Sequence, residues 1–216
     1  MTKPRTVSKG VCELCQAIVA RSAISRHVAK CLKMRPAAEP TVVTELLHVV
    51  AEADPYWLHI DVPMRAPLSE LDGLLRNIWL ECCYHLSAFT IGGTNYSRQP
   101  DTYYGDKPLS VAIGSVLRPG DRCRYRYDFG STTELSIRVV GTRTGQSNDA
   151  RLLARNVAPV VTCERCQNPA AFVETNRMVC ICDACREKQE FSVEGGDVLP
   201  LVNSPRTGVC CYASNG

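Results

Sequence analysis

Two groups of sulfur and imidazole side chains carry the spacing of metal ligands. Near the amino end Cys12 and Cys15 are followed by His27 and Cys31, and farther on Cys163 and Cys166 are followed by Cys182 and Cys185. A Cys-x2-Cys pair sets two thiolates on one tight turn. Residues four apart share a face of a helix, so His27 and Cys31 can point at one ion if residues 21–32 are helical, with Ser22 near the start. Four such donors complete the tetrahedral shell of a structural zinc and leave no position open for a substrate. A module this small needs the ion in order to fold. The spacing of the second group is that of a zinc ribbon, with two knuckles clamping one ion. Two structural zinc ions are therefore expected. Cys180 competes for a place in the second group. Cys182 and Cys185 are preferred because the two-residue spacer lets backbone N–H groups turn toward the sulfurs. An iron–sulfur cluster is an alternative on ligand grounds. A thioredoxin-like use of the CxxC pairs would need a βαβ context that the sequence lacks.

Charge separates the first segment from the rest. Residues 1–38 hold Lys3, Arg5, Lys9, Arg21, Arg26, Lys30, Lys33 and Arg35 against Glu13 alone, a net of +7, so within a whole-chain charge of +3 the remainder carries −4. A basic module on a mildly acidic body points to a polyanion partner, DNA or RNA, with a solubilising segment as the bland alternative. The candidate contacts are Arg21, Ser22, Ser25, Arg26 and Lys30 on the helix, with Lys3, Arg5 and Lys9 as a phosphate-seeking arm. The 13 cysteines would suit disulfides in an exported protein. No apolar stretch follows the basic first residues, so a reducing prokaryotic cytoplasm is expected. No apolar run reaches the length of about 18 residues that a membrane span needs, and no membrane association is expected.

The other chemistry-bearing residues give less. Cys82, Cys83 and His85 could hold a third metal, but adjacent cysteines point different ways on a helix and core packing is the preferred reading. Cys123 is expected to be buried. Cys210 and Cys211, beside Tyr212, are expected against the ribbon. His48 and His59 have no partner visible in sequence. No GxSxG, P-loop, HExxH or dinucleotide turn is present, and an enzyme would have to assemble its site from Asp128, His85 and His59.

These side chains need a framework. Residues 36–40 read as a linker. Residues 41–53 have helix-compatible spacing at Leu46, Leu47, Val50 and Ala53 but contain a β-branched run. Residues 57–64 alternate as a half-buried strand. Residues 68–82 form a helix that starts near Pro67 and Ser69, with Leu71, Leu74, Leu75, Ile78 and Trp79 in one stripe. A strand is predicted over residues 86–91, ending at Gly92-Gly93, and a short helix or irregular chain over 107–117. After the turn Arg118-Pro119-Gly120-Asp121, strands over 123–129 and 134–142 form a hairpin, with residues 143–150 as a loop. No internal repeat is found.

The central segment resembles the plasmid pRiA4b ORF-3-like family, met also as a passenger protein of mobile elements. The resemblance rests on Leu68-Ser69-Glu70-Leu71-Asp72 with Ile78-Trp79, on His85-Leu86-Ser87-Ala88-Phe89, and above all on Tyr125-Arg126-Tyr127-Asp128-Phe129-Gly130. It covers residues 55–142. The flanking clusters and residues 203–210 are similar to longer, zinc-bearing relatives. The resemblance implies an α+β domain with a curved, mainly antiparallel sheet packed on helices, and little about activity. Ser87 stands where the family often has a second histidine. Ser131, Thr133 and Leu135 stand where it often has an acid, a tryptophan and a histidine, which lowers the expectation of catalysis.

The expected organisation is a ββα-type C2HC finger over 1–38, a linker or helix over 39–54, an α+β core over 55–150, and a zinc ribbon with a tail over 151–216. The expected role is zinc-dependent, non-enzymatic nucleic-acid binding, tied to a mobile element or to regulation. A protein-interaction adaptor is the second reading, and an enzyme with its site in the core the third.

Overall fold

Strands follow wherever apolar and polar residues alternate, and the computed structural model, which describes residues 8–34, 43–188 and 197–213, is rich in sheet with few helices, an α+β architecture. A hairpin of β1 (Lys9–Cys12) and β2 (Ile18–Ala20) leads directly into α1 (Arg21–Met34). The long strands β3 (Thr44–Ala53) and β4 (Tyr56–Pro63) come next, then α2 (Leu68–Leu75), extended by a π-helical turn at Arg76–Leu80. β5 (Ser87–Ile91) and β6 (Thr94–Ser97) form a hairpin across Gly92 and Gly93, and β7 (Lys107–Pro108) and α3 (Ile113–Val116) follow. The second half holds β8 (Arg122–Tyr127), β9 (Thr133–Gly145) and β10 (Arg151–Asn156). It then gives β11 (Phe172–Glu174), β12 (Val179–Ile181), α4 (Asp183–Glu187) and β13 (Val198–Pro200).

One 10-stranded sheet runs β2-β1-β10-β4-β3-β9-β8-β5-β6-β7, and a separate 3-stranded sheet runs β12-β11-β13. All pairs are antiparallel except β6 with β7. Successive residues of a strand face opposite sides, and β4 uses both. Leu58, Ile60 and Val62 pack with Leu68, Leu71 and Leu75 of α2 and with Trp79, while Trp57 packs on the other side with Ile24 and Val28 of α1. The α2 stripe at positions i, i+3 and i+7 is what one apolar helix face requires. Tyr125, Tyr127, Leu135, Ile137 and Val139 complete the α2 side.

Three sequence expectations change. Residues 44–53 are not helical: Leu46, Leu47, Val49, Val50 and Ala51 are all buried, and β3 lies between β4 and β9. A strand covered on both faces shows an unbroken apolar run, which also satisfies helical spacing. Residues 151–156 form a strand of the main sheet, placed between β1 and β4, so the sheet extends past residue 150. β9 continues to Gly145, into the expected loop. The 36–40 linker lies outside the described residues.

The α1 side is joined to the sheet by a close approach. Gly10 pairs with Asn156, and a Cβ on Gly10 would run into the Trp57 ring. Trp57 is fully buried. Its backbone N–H donates to Asn156 Oδ1 at 3.0 Å and its indole N–H to Ser8 Oγ at 3.0 Å. Nearby, His48 Nε2 and His59 Nδ1 lie 2.9 Å apart. Burial holds both imidazoles below their ordinary range, His59 to about 3, with the partner ring and Arg138 acting in the same direction on His59. Both are therefore neutral in the folded protein at neutral pH.

Gly10→Ala is expected to lower the unfolding free energy by about 1–3 kcal/mol through overpacking. Gly73→Ala on α2, where a Cβ meets nothing, should raise it by about 0.5–1 kcal/mol. Urea unfolding midpoints check both. Because the folded pKa of His59 lies below its unfolded value, its contribution is complete above about pH 6.5 and is lost as pH falls toward 3. His59→Gln should therefore lose stability on acidification less steeply than the wild type, by up to about 1.4 kcal/mol per pH unit. Parallel losses between pH 6.5 and 4.5 would show that His59 is not buried neutral.

Candidate metal centres

The β1–β2 turn and α1 build the first centre. Cys12 ends β1, fully buried, and its carbonyl accepts from the N–H of Cys15 at 3.3 Å and of Gln16 at 2.7 Å. Gln16 takes a left-handed φ of 63°, which swings the chain back so that Cys12 N–H reaches Ala17 O at 3.0 Å. His27 and Cys31, one turn apart on α1, face this knuckle. Cys15 Sγ lies 3.1 Å from His27 Nε2 and 3.6 Å from Cys31 Sγ, and Cys31 Sγ lies 3.4 Å from His27 Nε2. Zinc bonds of about 2.0–2.3 Å in a tetrahedron set donor atoms about 3.3–3.8 Å apart; the two separations at Cys31 fall in this range and the Cys15–His27 separation falls just short of it.

The second centre repeats the same turn. Cys163 N–H donates to Asn168 O at 2.7 Å, Gln167 N–H returns to Cys163 O at 3.0 Å, and Gln167 has φ 65°. Both knuckles read Cys-Glu-x-Cys-Gln, at residues 12–16 and 163–167, a five-residue repeat too short to stand out in the sequence. Cys182 and Cys185 come from the start of α4, and Cys182 Sγ lies 3.5 Å from Cys166 Sγ. All four donor atoms of each centre lie within 4.8 Å of one another. Cys180 is not among them. It lies on β12 opposite Val173, with its N–H bonded to Glu164 Oε1 at 3.2 Å.

The thiols of each centre push one another apart in acidity. Backbone hydrogen bonding through Ala17 and the contact with His27 lower Cys15 to about 7, while burial and the neighbouring Cys15 raise Cys31 to about 11. Burial opposes ionisation of Cys163, but N–H groups of Arg165, Cys182 and Cys166 outweigh it and bring the thiol to about 6. Hydrogen bonding to Cys166 and burial raise Cys185 to about 12. Adjacent thiolates repel, and the charge of a bound dication would offset that repulsion and let them all ionise. The donor sets therefore fit zinc.

The basic residues separate by position. Arg26, Lys30 and Lys9 are exposed, as is Lys33. Arg21 is half-buried against the protein, its guanidinium 2.8 Å from Glu52 and 6.0 Å from the centre of the Trp57 ring. Lys3 and Arg5 lie outside the described residues. Of the three residues named for a catalytic site, His85 Nδ1 and Asp128 Oδ1 are 3.6 Å apart, whereas His59 is paired with His48. Asp128 is also taken by Arg206, fully buried, at 2.7 Å. Burial works against its ionisation, but the Arg206 contact and the N–H of Gly130 leave its carboxyl below the usual range. Arg206 bonds Ser131 O and Thr133 Oγ1, each at 3.1 Å, and so fills the space beside Asp128. Ser87 donates instead to buried Asp72 at 2.5 Å.

Among the lone cysteines, Cys123 is buried as expected and its thiol is pushed up to about 12, first by burial. Cys82 is half-buried and packs against the core as expected, whereas Cys83 is exposed. They sit at its margin with His85, and Cys210 joins them rather than the ribbon, forming a third cluster within 4.8 Å. The spacing of Cys82, Cys83 and His85 signals three of the donors, but Cys210 is remote in sequence and no local spacing adds it to them.

A sheet-rich α+β protein with Cys/His clusters along its margins is the class that fold and sites define. Residues 46–179 match the model of the plasmid pRiA4b ORF-3-like protein family, and the chain belongs to that family. The crystal structure of a protein of unknown function, MM3350 from Methanosarcina mazei Go1, is similar over 51% of this chain and 67% of that one, at 16% identity and a TM-score of 0.44. No curated protein matches the chain at a significant level. No described helix is long and apolar enough to cross a membrane.

Cys182→Ser is expected to remove one zinc ion per chain relative to the wild type, and Cys180→Ser none. Metal analysis of the two purified full-length variants distinguishes them. Equal losses would put Cys180 in the coordination shell.

Proposed function

We propose that this protein binds nucleic acid through the outer face of α1, with zinc at the Cys12–Cys15–His27–Cys31 and Cys163–Cys166–Cys182–Cys185 centres acting structurally. The observation that carries this reading is the character of that face. Arg26, Lys30 and Lys33 are exposed while Ile24 and Val28 are buried beneath them, and α1 contains no acidic residue. Cations on a fixed helix neutralise phosphates and release counterions whatever the base sequence. Arg21 anchors the helix to Glu52 and serves as a positioning residue. Lys9, exposed on β1, adds a further cation, and Lys3 and Arg5 precede it in the sequence.

The sheet offers a second basic row. Val50 pairs with both His59 and Arg138, and Arg138 with Arg122, so these residues lie on the face that α1 covers at Trp57. Arg122 and Arg124 are exposed there, and Arg126 is half-buried. One helix of this kind reads about three base pairs, so phosphate contacts along the helix and the sheet supply most of the affinity. Four protein ligands close each zinc shell, which favours a structural role over a catalytic one. The plasmid origin of the family's name fits a partner in mobile DNA.

Fluorescence anisotropy of the full-length, zinc-loaded protein with duplex DNA, single-stranded DNA and RNA across a salt series tests the proposal. Binding should weaken linearly in log salt. The triple variant Arg26→Glu, Lys30→Glu, Lys33→Glu should flatten the slope on duplex DNA by about 0.9 for each phosphate that is no longer neutralised, with zinc content and unfolding midpoint unchanged. An unchanged slope, or no binding by the wild type, overturns the reading and turns this face toward an acidic protein surface.

A further inference from the structure

The segment after β13, residues 201–213, forms a C-terminal strap that is tied to the core by a group of side chains beyond both centres described above. Cys82, Cys83 and His85 follow the π-helical turn after α2, and Cys210 reaches them from the strap. His85 Nε2 lies 3.3 Å from Cys210 Sγ, and Cys83 Sγ lies 3.9 Å from Cys210 Sγ. These separations bracket the edges of a tetrahedral zinc shell.

The surroundings are those of a ligand set rather than of packed thiols. The other nitrogen of His85 faces Asp128 at 3.6 Å, which directs Nε2 toward the sulfurs. A carboxylate behind a histidine is the usual second partner of a metal-binding imidazole. Arg206 Nε donates to Cys82 Sγ at 3.4 Å, which fixes the position of that sulfur. Arg206 is itself held by Asp128, so one ion pair orients both a histidine and a cysteine. Hydrophobic packing accounts for Cys82, which lies against the core, but not for the exposed Cys83. Tyr84 and Cys210 adopt left-handed φ values of 58° and 50°, as does Cys211 at 56°.

We propose that Cys82, Cys83, His85 and Cys210 bind a third zinc ion, a Cys3His site that staples the strap to the core. Three thiolates and an imidazole with no carboxylate in the shell select zinc over hard cations. The ion closes a connection the strap has already begun. Ser204 Oγ donates to Trp79 O at 2.6 Å, and Tyr212 OH to Ile78 O at 3.4 Å. The site is independent of the nucleic-acid reading and survives its failure.

The test is zinc content per chain by plasma mass spectrometry and native mass spectrometry, on full-length protein purified under reducing conditions. Wild type and Cys211→Ser should hold three ions, and Cys210→Ser and His85→Gln two. Because a variant can fail for lack of folding, alkylation mapping of the wild type provides a second reading. Cys82, Cys83 and Cys210 should resist iodoacetamide when zinc is bound and react after chelation, while Cys211 reacts in both states. Two ions in the wild type, or Cys83 and Cys210 reactive in the zinc-loaded protein, overturns the proposal. So does a Cys83–Cys210 disulfide in place of the third ion.

Discussion

The indole of Trp57 lies where the β1–β2 hairpin, α1 and the middle of the main sheet meet, and its burial constrains all three. Gly10 must lie against its ring without a side chain, Ser8 must reach its N–H, and Ile24 and Val28 must cover its outer face. Replacing a buried tryptophan by alanine typically costs about 3–5 kcal/mol, so this contact is a large part of what holds the hairpin to the sheet. The consequence for function is rigidity. The outer face of α1 is presented by the whole sheet rather than by a module swinging on a linker, so any contact it makes is made in one orientation.

A second organising element is the pair Arg206 and Asp128. An arginine with no exposure at all needs its charge and its donors satisfied, because an unpaired buried cation is costly. Asp128, Ser131 and Thr133 do this from the turn between β8 and β9, and Tyr127 lies 4.8 Å beneath the guanidinium. Asp128, part of the motif on which the family resemblance chiefly rests, is thus engaged by the chain's own C-terminal strap.

Local chemistry was legible in the sequence and remote chemistry was not. The two C-x2-C centres show themselves because their donors come in pairs three or four residues apart, and a knuckle or one turn of helix makes such pairs converge. The β8 strand shows itself through the alternation of Cys123, Tyr125 and Tyr127 with Arg122, Arg124 and Arg126. β3 misled because a strand buried on both sides loses its alternation. β10 went unseen because a bulge between Leu152 and Ala154 shifts its period. The third Cys/His cluster and the Arg206 pair each join the strap to residues in the middle of the chain, and no spacing rule reaches across such a separation.

β10 has another consequence, which concerns time. It is the strand on which β1 docks, through Gly10 and Asn156, and it also holds the strap, through Arg155 and Asn156 to Asn203. During synthesis the hairpin and α1 emerge early, but the strand that completes their surroundings is made only after most of the sheet. Until then the edge of β1 that will meet β10 is open, and unpaired edges invite the wrong partner. An ion bound by Cys12, Cys15, His27 and Cys31 would keep the segment folded through that interval. On this view the N-terminal metal is a chaperone for its own module before it is a support for the finished protein.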